Sequence, residues 1–229
     1  MFIPLYDGVA MKYLRWPLVN YVLIGLNCLV FAAGWLGWLG DPDRLDTALG
    51  VIPAVLFGTA DLAKSLVWVP APATLLTGMF LHGSALHLLG NMLFLWVFGD
   101  NVEDAMGSFR YLLFYIACGI AGALAFGFML PATEGPLIGA SAAISGVVAA
   151  YLMLYPRVWV WGLLFDVLPI AIPAVFCVGA WVLLQIFSAL TTADPEVGWW
   201  AHVGGLAAGA LLVIVLKRRD VPLFSPQRG

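Results

Sequence analysis

His82, His87 and His202 are the only imidazoles in a chain of 229 residues, and each falls in a stretch expected to be an apolar helix, as do Asn91, Ser141 and Ser145. An imidazole within reach of a serine hydroxyl is the pairing that nucleophilic catalysis needs: a ring nitrogen takes the hydroxyl proton as the oxygen attacks a carbonyl. His87 and Asn91 are four residues apart and share one helix face, where their N–H groups would oppose a developing oxyanion. Asp100, Glu103 and Asp104 close a helix, and Asp194 and Glu196 lie in a turn, so no carboxylate shares the level of these residues. The inventory permits a Ser-His pair rather than a Ser-His-Asp triad, with the histidine to be oriented by packing or by a backbone hydrogen bond. Three histidines are also a zinc-ligand inventory. There is no His-Glu-x-x-His segment, however, and His82 and His87, five apart, are not aligned on a helix, so no metal site is expected.

The elements that must position these groups are set by composition. The chain is 63% hydrophobic and 10% charged with a net charge of −3, against about 45–50% apolar and about 25% charged residues in a soluble globule. Runs of about 20 apolar residues cross a hydrocarbon core of about 30 Å, which leaves room for about six spans. The expected fold is an all-α membrane protein with six transmembrane helices, over 19–40, 80–98, 109–130, 141–155, 168–190 and 199–216. The expected organisation is a cytoplasmic segment 1–18, a membrane domain 19–217 with an outer loop 41–78, and a cytoplasmic tail 218–229. A cleaved signal peptide would have a shorter apolar core than the first run. Cys28, Cys118 and Cys177 lie inside apolar runs and read as buried small hydrophobes. Scattered Lys and Arg residues give no nucleic-acid groove. Eight of them (Lys12, Arg15, Arg110, Arg157, Lys217, Arg218, Arg219 and Arg228) share the side of the termini, against Arg44 and Lys64 opposite, so both termini are expected in the cytoplasm.

Depth brings the polar residues together. Counted from the cytoplasmic helix ends at 1.5 Å per residue, Ser141 lies about 24 Å up, His202 about 22 Å and His87 about 20 Å. A helix opening at Ser141 stops short of the outer interface, so its first turn must be enclosed by protein or wetted by a cavity. That turn also offers free N–H groups and the positive end of the helix dipole to an oxyanion. Gly204, Gly205, Ala208 and Gly209 face Ser145, Gly146, Ala149 and Ala150 as surfaces for close helix approach. Ser145, one turn deeper, is a rival nucleophile without those free donors.

Three stretches resemble signatures of the rhomboid intramembrane serine proteases. Gly139-Ala140-Ser141-Ala142-Ala143-Ile144-Ser145-Gly146 is similar to the Gly-x-Ser-x nucleophile segment. His82-Gly83-Ser84-Ala85-Leu86-His87-Leu88-Leu89-Gly90-Asn91 resembles the second-helix motif of two histidines and an asparagine, and Ala201-His202-Val203-Gly204-Gly205-Leu206-Ala207-Ala208-Gly209 resembles the catalytic-histidine helix. The resemblance implies a six-helix rhomboid-like bundle, with Ser141 as nucleophile and His202 as general base. His87, Asn91 and the Ser141 backbone N–H would form the oxyanion hole, with His82, Gly139 and Gly205 supporting. It further implies transmembrane protein substrates, cleavage near the outer face and no metal or organic cofactor. Ala142 stands where many members have glycine, Ser145 where some have an aromatic ring, and the 41–78 loop has no Trp-Arg pair.

The alternative is a non-catalytic relative that binds or delivers membrane clients. A transporter is disfavoured because no transmembrane carboxylate or arginine lines a path. The expected setting is the lipid bilayer of a bacterial cytoplasmic membrane, with the site opening to the non-cytoplasmic side. The 191–198 turn and the outer end of the fifth helix, with Pro169 and Pro173 in its early turns, are expected to act as cap and side gate.

Overall fold

The computed structural model describes residues 2–165, 167–191 and 197–226. The chain opens with strand β1 (Phe2–Tyr6) and helix α1 (Leu18–Trp35). The loop that follows is folded, with short helices α2 (Pro42–Leu49), α3 (Pro53–Leu56) and α4 (Thr74–Thr77). Helix α5 (Ala85–Phe94) passes through a π-helical turn, Leu95–Gly99, into α6 (Asp100–Met106), and α7 (Ser108–Met129) and α8 (Ser141–Leu154) come next. Strands β2 (Trp159–Leu164) and β3 (Leu168–Pro173) precede α9 (Ala174–Thr191) and α10 (Trp199–Leu216).

A helix occupies part of every apolar run picked out in the sequence. Among the described residues, four helices (α1, α7, α9 and α10) are long and apolar enough to cross a membrane, and the bent pair Lys64–Phe80 and Ala85–Met106 makes up to five. Helix α8 is apolar but has only 14 residues, about 21 Å of rise.

The all-α expectation fails at one place. β1, β2 and β3 form an antiparallel sheet in the order β1-β2-β3, with Trp159↔Pro173 to Leu164↔Leu168 joining the hairpin. The fifth helix therefore begins at Ala174, not Leu168. Pro169 and Pro173 lack the N–H that a helix ladder needs and push the residues before them to extended backbone, while Ile170 and Ile172 favour a strand. The second helix also starts later than expected. Ser84 is its N-cap, its hydroxyl accepting the His87 N–H at 3.1 Å, so His82 lies before the helix rather than in it. Of the three cysteines expected to be buried only Cys118 is; Cys28 is exposed and Cys177 half-buried, and all three are free.

Helix α8 is the centre of the core, with Val147, Val148, Ala150, Tyr151 and Leu154 fully buried. Helix α10 meets it backbone to backbone: a Cβ on Gly205 would strike the Ala142 carbonyl, and one on Gly209 the Gly146 backbone. Gly204 faces Gly122 and Ala125 of α7 in the same way. Lipid tails give no hydrophobic drive between helices, so such close van der Waals contact is what holds them.

At the far end of α8 the acidic turn of the sequence is buried inside the fold. Glu103, fully buried, accepts the backbone N–H groups of Val19 at 3.2 Å and Asn20 at 2.8 Å and the Ser108 hydroxyl at 2.5 Å. Helix α1 has Pro17 at its N-cap position and no side-chain cap of its own, and Glu103 supplies both the acceptor and the negative charge that its first turn needs. Asp104 accepts the N–H groups of Lys12, Tyr13 and Leu14 at 2.8, 2.8 and 2.6 Å. Asp7 takes 2.7 Å hydrogen bonds from the Asn101 amide and the Tyr151 hydroxyl. Burial nonetheless raises the Asp7 pKa, its hydrogen bonds opposing the shift.

Removing Glu103 strands three donors, so Glu103→Ala should lower unfolding stability by about 3 kcal/mol; thermal unfolding in detergent reads the loss, and hydrogen exchange should show it first in the opening turn of α1. For Asp7 the folded-state pKa lies above the unfolded one, so ionisation opposes folding and stability should fall as pH rises from the ordinary carboxylate range through the raised value. Asp7→Asn should flatten that decline in the same unfolding series.

Candidate active site

Ser141 is the first residue of α8, and the segment before it is clamped from the folded loop. Val51 and Leu137 exchange backbone hydrogen bonds of 3.0 and 2.8 Å, and the Gly139 N–H donates to the Gly78 carbonyl at 2.9 Å. Gly139 has φ +117°, and a Cβ there would lie 2.8 Å from the His87 ring. Glycine is thus required twice, for backbone conformation and for room. No side chain caps α8, so the N–H groups of its first turn are not spent on one.

Helix α10 opens one turn before its histidine, the His202 N–H bonding the Gly198 carbonyl at 3.1 Å. His202 Nε2 then lies 2.9 Å from Ser141 Oγ, and its Nδ1 lies 2.7 Å from Gln185 Oε1 on α9. An amide oxygen only accepts, so Nδ1 carries the ring proton and Nε2 presents its lone pair to the serine hydroxyl. The Trp199 ring packs edge-on against His202, centroids 5.9 Å apart. The expectation that packing or a backbone bond would orient this ring is corrected: a buried side-chain amide does so. Gln185 carried a signal that went unused, because a glutamine inside an otherwise apolar span is costly unless it has a partner.

Asn91 Nδ2 donates to His82 Nε2 at 3.0 Å, which fixes the amide and leaves its second N–H. The His82 and His87 rings meet edge to face at 4.9 Å. His87, Asn91, Ser141, Gln185, Trp199 and His202 all line one cavity of about 950 Å³. Its wall is otherwise mostly apolar or small, with Glu134 at the rim.

The structure therefore brings together Ser141, His202, His87, Asn91 and Gly139, with His82 behind Asn91. Gly205 lies outside the cavity lining and serves the α8–α10 contact. Ser145 is fully buried, and its hydroxyl donates to the Ser141 carbonyl at 2.7 Å. The proposed cap at 191–198 falls largely on residues 192–196, outside the described residues. Among the described residues no group of three or more His, Cys, Asp or Glu side chains is arranged to hold a metal ion.

The family model for the Rhomboid domain matches residues 70–219. The chain is 32% identical over 191 residues to Rhomboid protein 1, mitochondrial, of Saccharomyces cerevisiae, a match covering 74% of this chain and 52% of that protein. It is 45% identical over 136 residues to Rhomboid protease GluP of Bacillus subtilis, covering 59% of this chain and 24% of that one. Presenilin-associated rhomboid-like protein, mitochondrial, of Homo sapiens is 26% identical over 209 residues, covering 81% of this chain and 53% of the relative. The matches thus span from about a quarter to about half the length of these relatives. With its apolar helices and a rhomboid domain over most of its length, this chain is a multi-pass membrane protein of the rhomboid family.

Proposed function

We propose that the protein is an intramembrane serine endopeptidase that hydrolyses peptide bonds in or near transmembrane segments of other membrane proteins. The observation that carries this reading is the two-bond relay from Ser141 through His202 to Gln185 at the wall of a cavity. Ser141 Oγ attacks the scissile carbonyl carbon while His202 Nε2 takes its proton. The Gln185 oxygen holds the Nδ1–H and so stabilises the imidazolium that forms. The carbonyl oxygen becomes an oxyanion opposite His87, the free Asn91 N–H and the Ser141 backbone N–H. Collapse breaks the C–N bond and His202 returns the proton to the leaving amine; water then repeats the sequence on the acyl-enzyme. No step calls on a metal or an organic cofactor.

Substrate access is assigned to the side between α5 and α9, where the Phe94 and Trp181 rings meet at 5.5 Å. The Lys and Arg distribution supports cytoplasmic termini and a site opening to the other side of the membrane.

Turnover of a labelled transmembrane reporter by the liposome-reconstituted chain should vanish in Ser141→Ala and in His202→Ala and persist in Ser145→Ala. Stable reporter binding without cleavage by the native chain would instead support a client-binding role. Gln185 acts through His202 as a positioning residue, so Gln185→Leu should lower kcat by about 10² or more with KM little changed. Gln185→Glu keeps an acceptor oxygen and should restore much of kcat; equal losses in both variants would point to a packing role only.

A further inference from the structure

The hairpin between α8 and α9 plays no part in the chemistry above, and its surface is unlike that of a sheet in water. On β2 the alternate residues Val160 and Gly162 face the bundle, whereas Trp159 and Trp161 point away, 46% and 54% exposed. Tyr6, the register partner of Trp161 on β1, is 63% exposed. At the tip, Phe165 and Val167 are 70% and 78% exposed. Residues 158–173 contain a single charged residue, Asp166. β3 continues directly into α9, whose Phe176, Leu183 and Phe187 are exposed along a membrane-crossing helix. The aromatic face is therefore continuous with surface that lipid covers.

Two constraints bound where such a sheet can lie. A contiguous apolar patch with open strand edges is a liability in water. Open strand edges are equally excluded from the hydrocarbon centre, where their N–H and C=O groups find no partner. The boundary between headgroups and acyl chains satisfies both. Its level is marked independently by α1: exposed Trp16 and Trp35 stand 19 residues apart at its two ends, about 28 Å, close to the core thickness of about 30 Å. The sheet belongs to the Trp16 end, because Asp7, just after β1, is bonded to Asn101 and Tyr151, and β2 follows the last turn of α8. Exposed Arg15 and Arg157 flank Trp16 and Trp159, the pairing of cation and indole that anchors proteins at an interface.

We propose that the β2–β3 hairpin is an interfacial anchor, with Trp159, Trp161, Phe165 and Val167 seated in the headgroup–acyl boundary of the leaflet remote from Ser141. The occupant of this face is the lipid bilayer. This assignment stands apart from the protease reading.

The test uses the full chain in liposomes. Of its ten tryptophans, the emission of two is isolated as the difference between the native chain and Trp159→Phe/Trp161→Phe. Phosphatidylcholine brominated near the glycerol end of its acyl chains should quench that difference about twofold more than lipid brominated near the methyl end, and aqueous acrylamide should quench it little. Quenching by acrylamide but not by lipid would place the sheet in water and overturn the proposal. Stronger quenching from the methyl end would overturn it in favour of the hydrocarbon core. Resistance to every quencher, rising with the protein-to-lipid ratio, would overturn it in favour of a second copy. Bimane on Val167→Cys in a Cys28→Ser chain gives the same reading if the double variant fails to fold.

Discussion

The closeness of α8 and α10 is the constraint on which the rest depends. Their backbones touch at Gly205 against Ala142, three residues from His202 and one from Ser141, and again at Gly209 against Gly146. A methyl group at either glycine would have to push the helices apart, and the 2.9 Å separation of hydroxyl and imidazole would open with them. Dispersion between small residues is weak for each atom pair, but a lipid-embedded bundle has little else to hold its helices together. Helix α7 adds the third wall, with Gly122 against Ala201 and Ala142, so the geometry of the Ser141–His202 pair is inherited from helix packing rather than imposed by local strain.

The two ends of this core are held by different physics. Near Ser141 the work is done by backbone pairing: Val51 with Leu137 and Gly78 with Gly139 tie the folded loop to the turn that aims the serine. At the opposite end it is done by buried carboxylates, which gather donors from the N-terminal segment and from α1. Neutral backbone contacts at the site leave its polarity to the few groups that use it, and the buried carboxylates lie at the other end of α8, about a full helix length away.

The positions of Ser141, His202, His87 and Asn91 were legible because polar residues are rare in an apolar chain and their depths agree. The bounds of α7, α8 and α10 were legible too, since each run ends in a proline, a charge or a glycine-rich turn. The sheet was not. Its β2 sequence, Trp159-Val160-Trp161, is apolar at every position, so the period that separates strand from helix is masked. Gln185 was hidden for another reason: an amide carries no charge, and its pairing with His202 on another helix is set by tertiary packing. The role of Glu103 depended on a contact with Asn20, 83 residues away, which no local pattern encodes.

That last contact has a consequence for how the chain is made. Helix α1 emerges from the ribosome long before Glu103 exists, and at about 5–20 residues per second the delay is on the order of ten seconds. Throughout that interval its opening N–H groups have only water or headgroups as partners. The first helix can therefore enter the membrane early but cannot be locked at its depth until α6 has been synthesised. The segment through α1 is thus held open to adjustment by translation itself, and the seating of this span becomes a late event in assembly although it is written before α5 to α10.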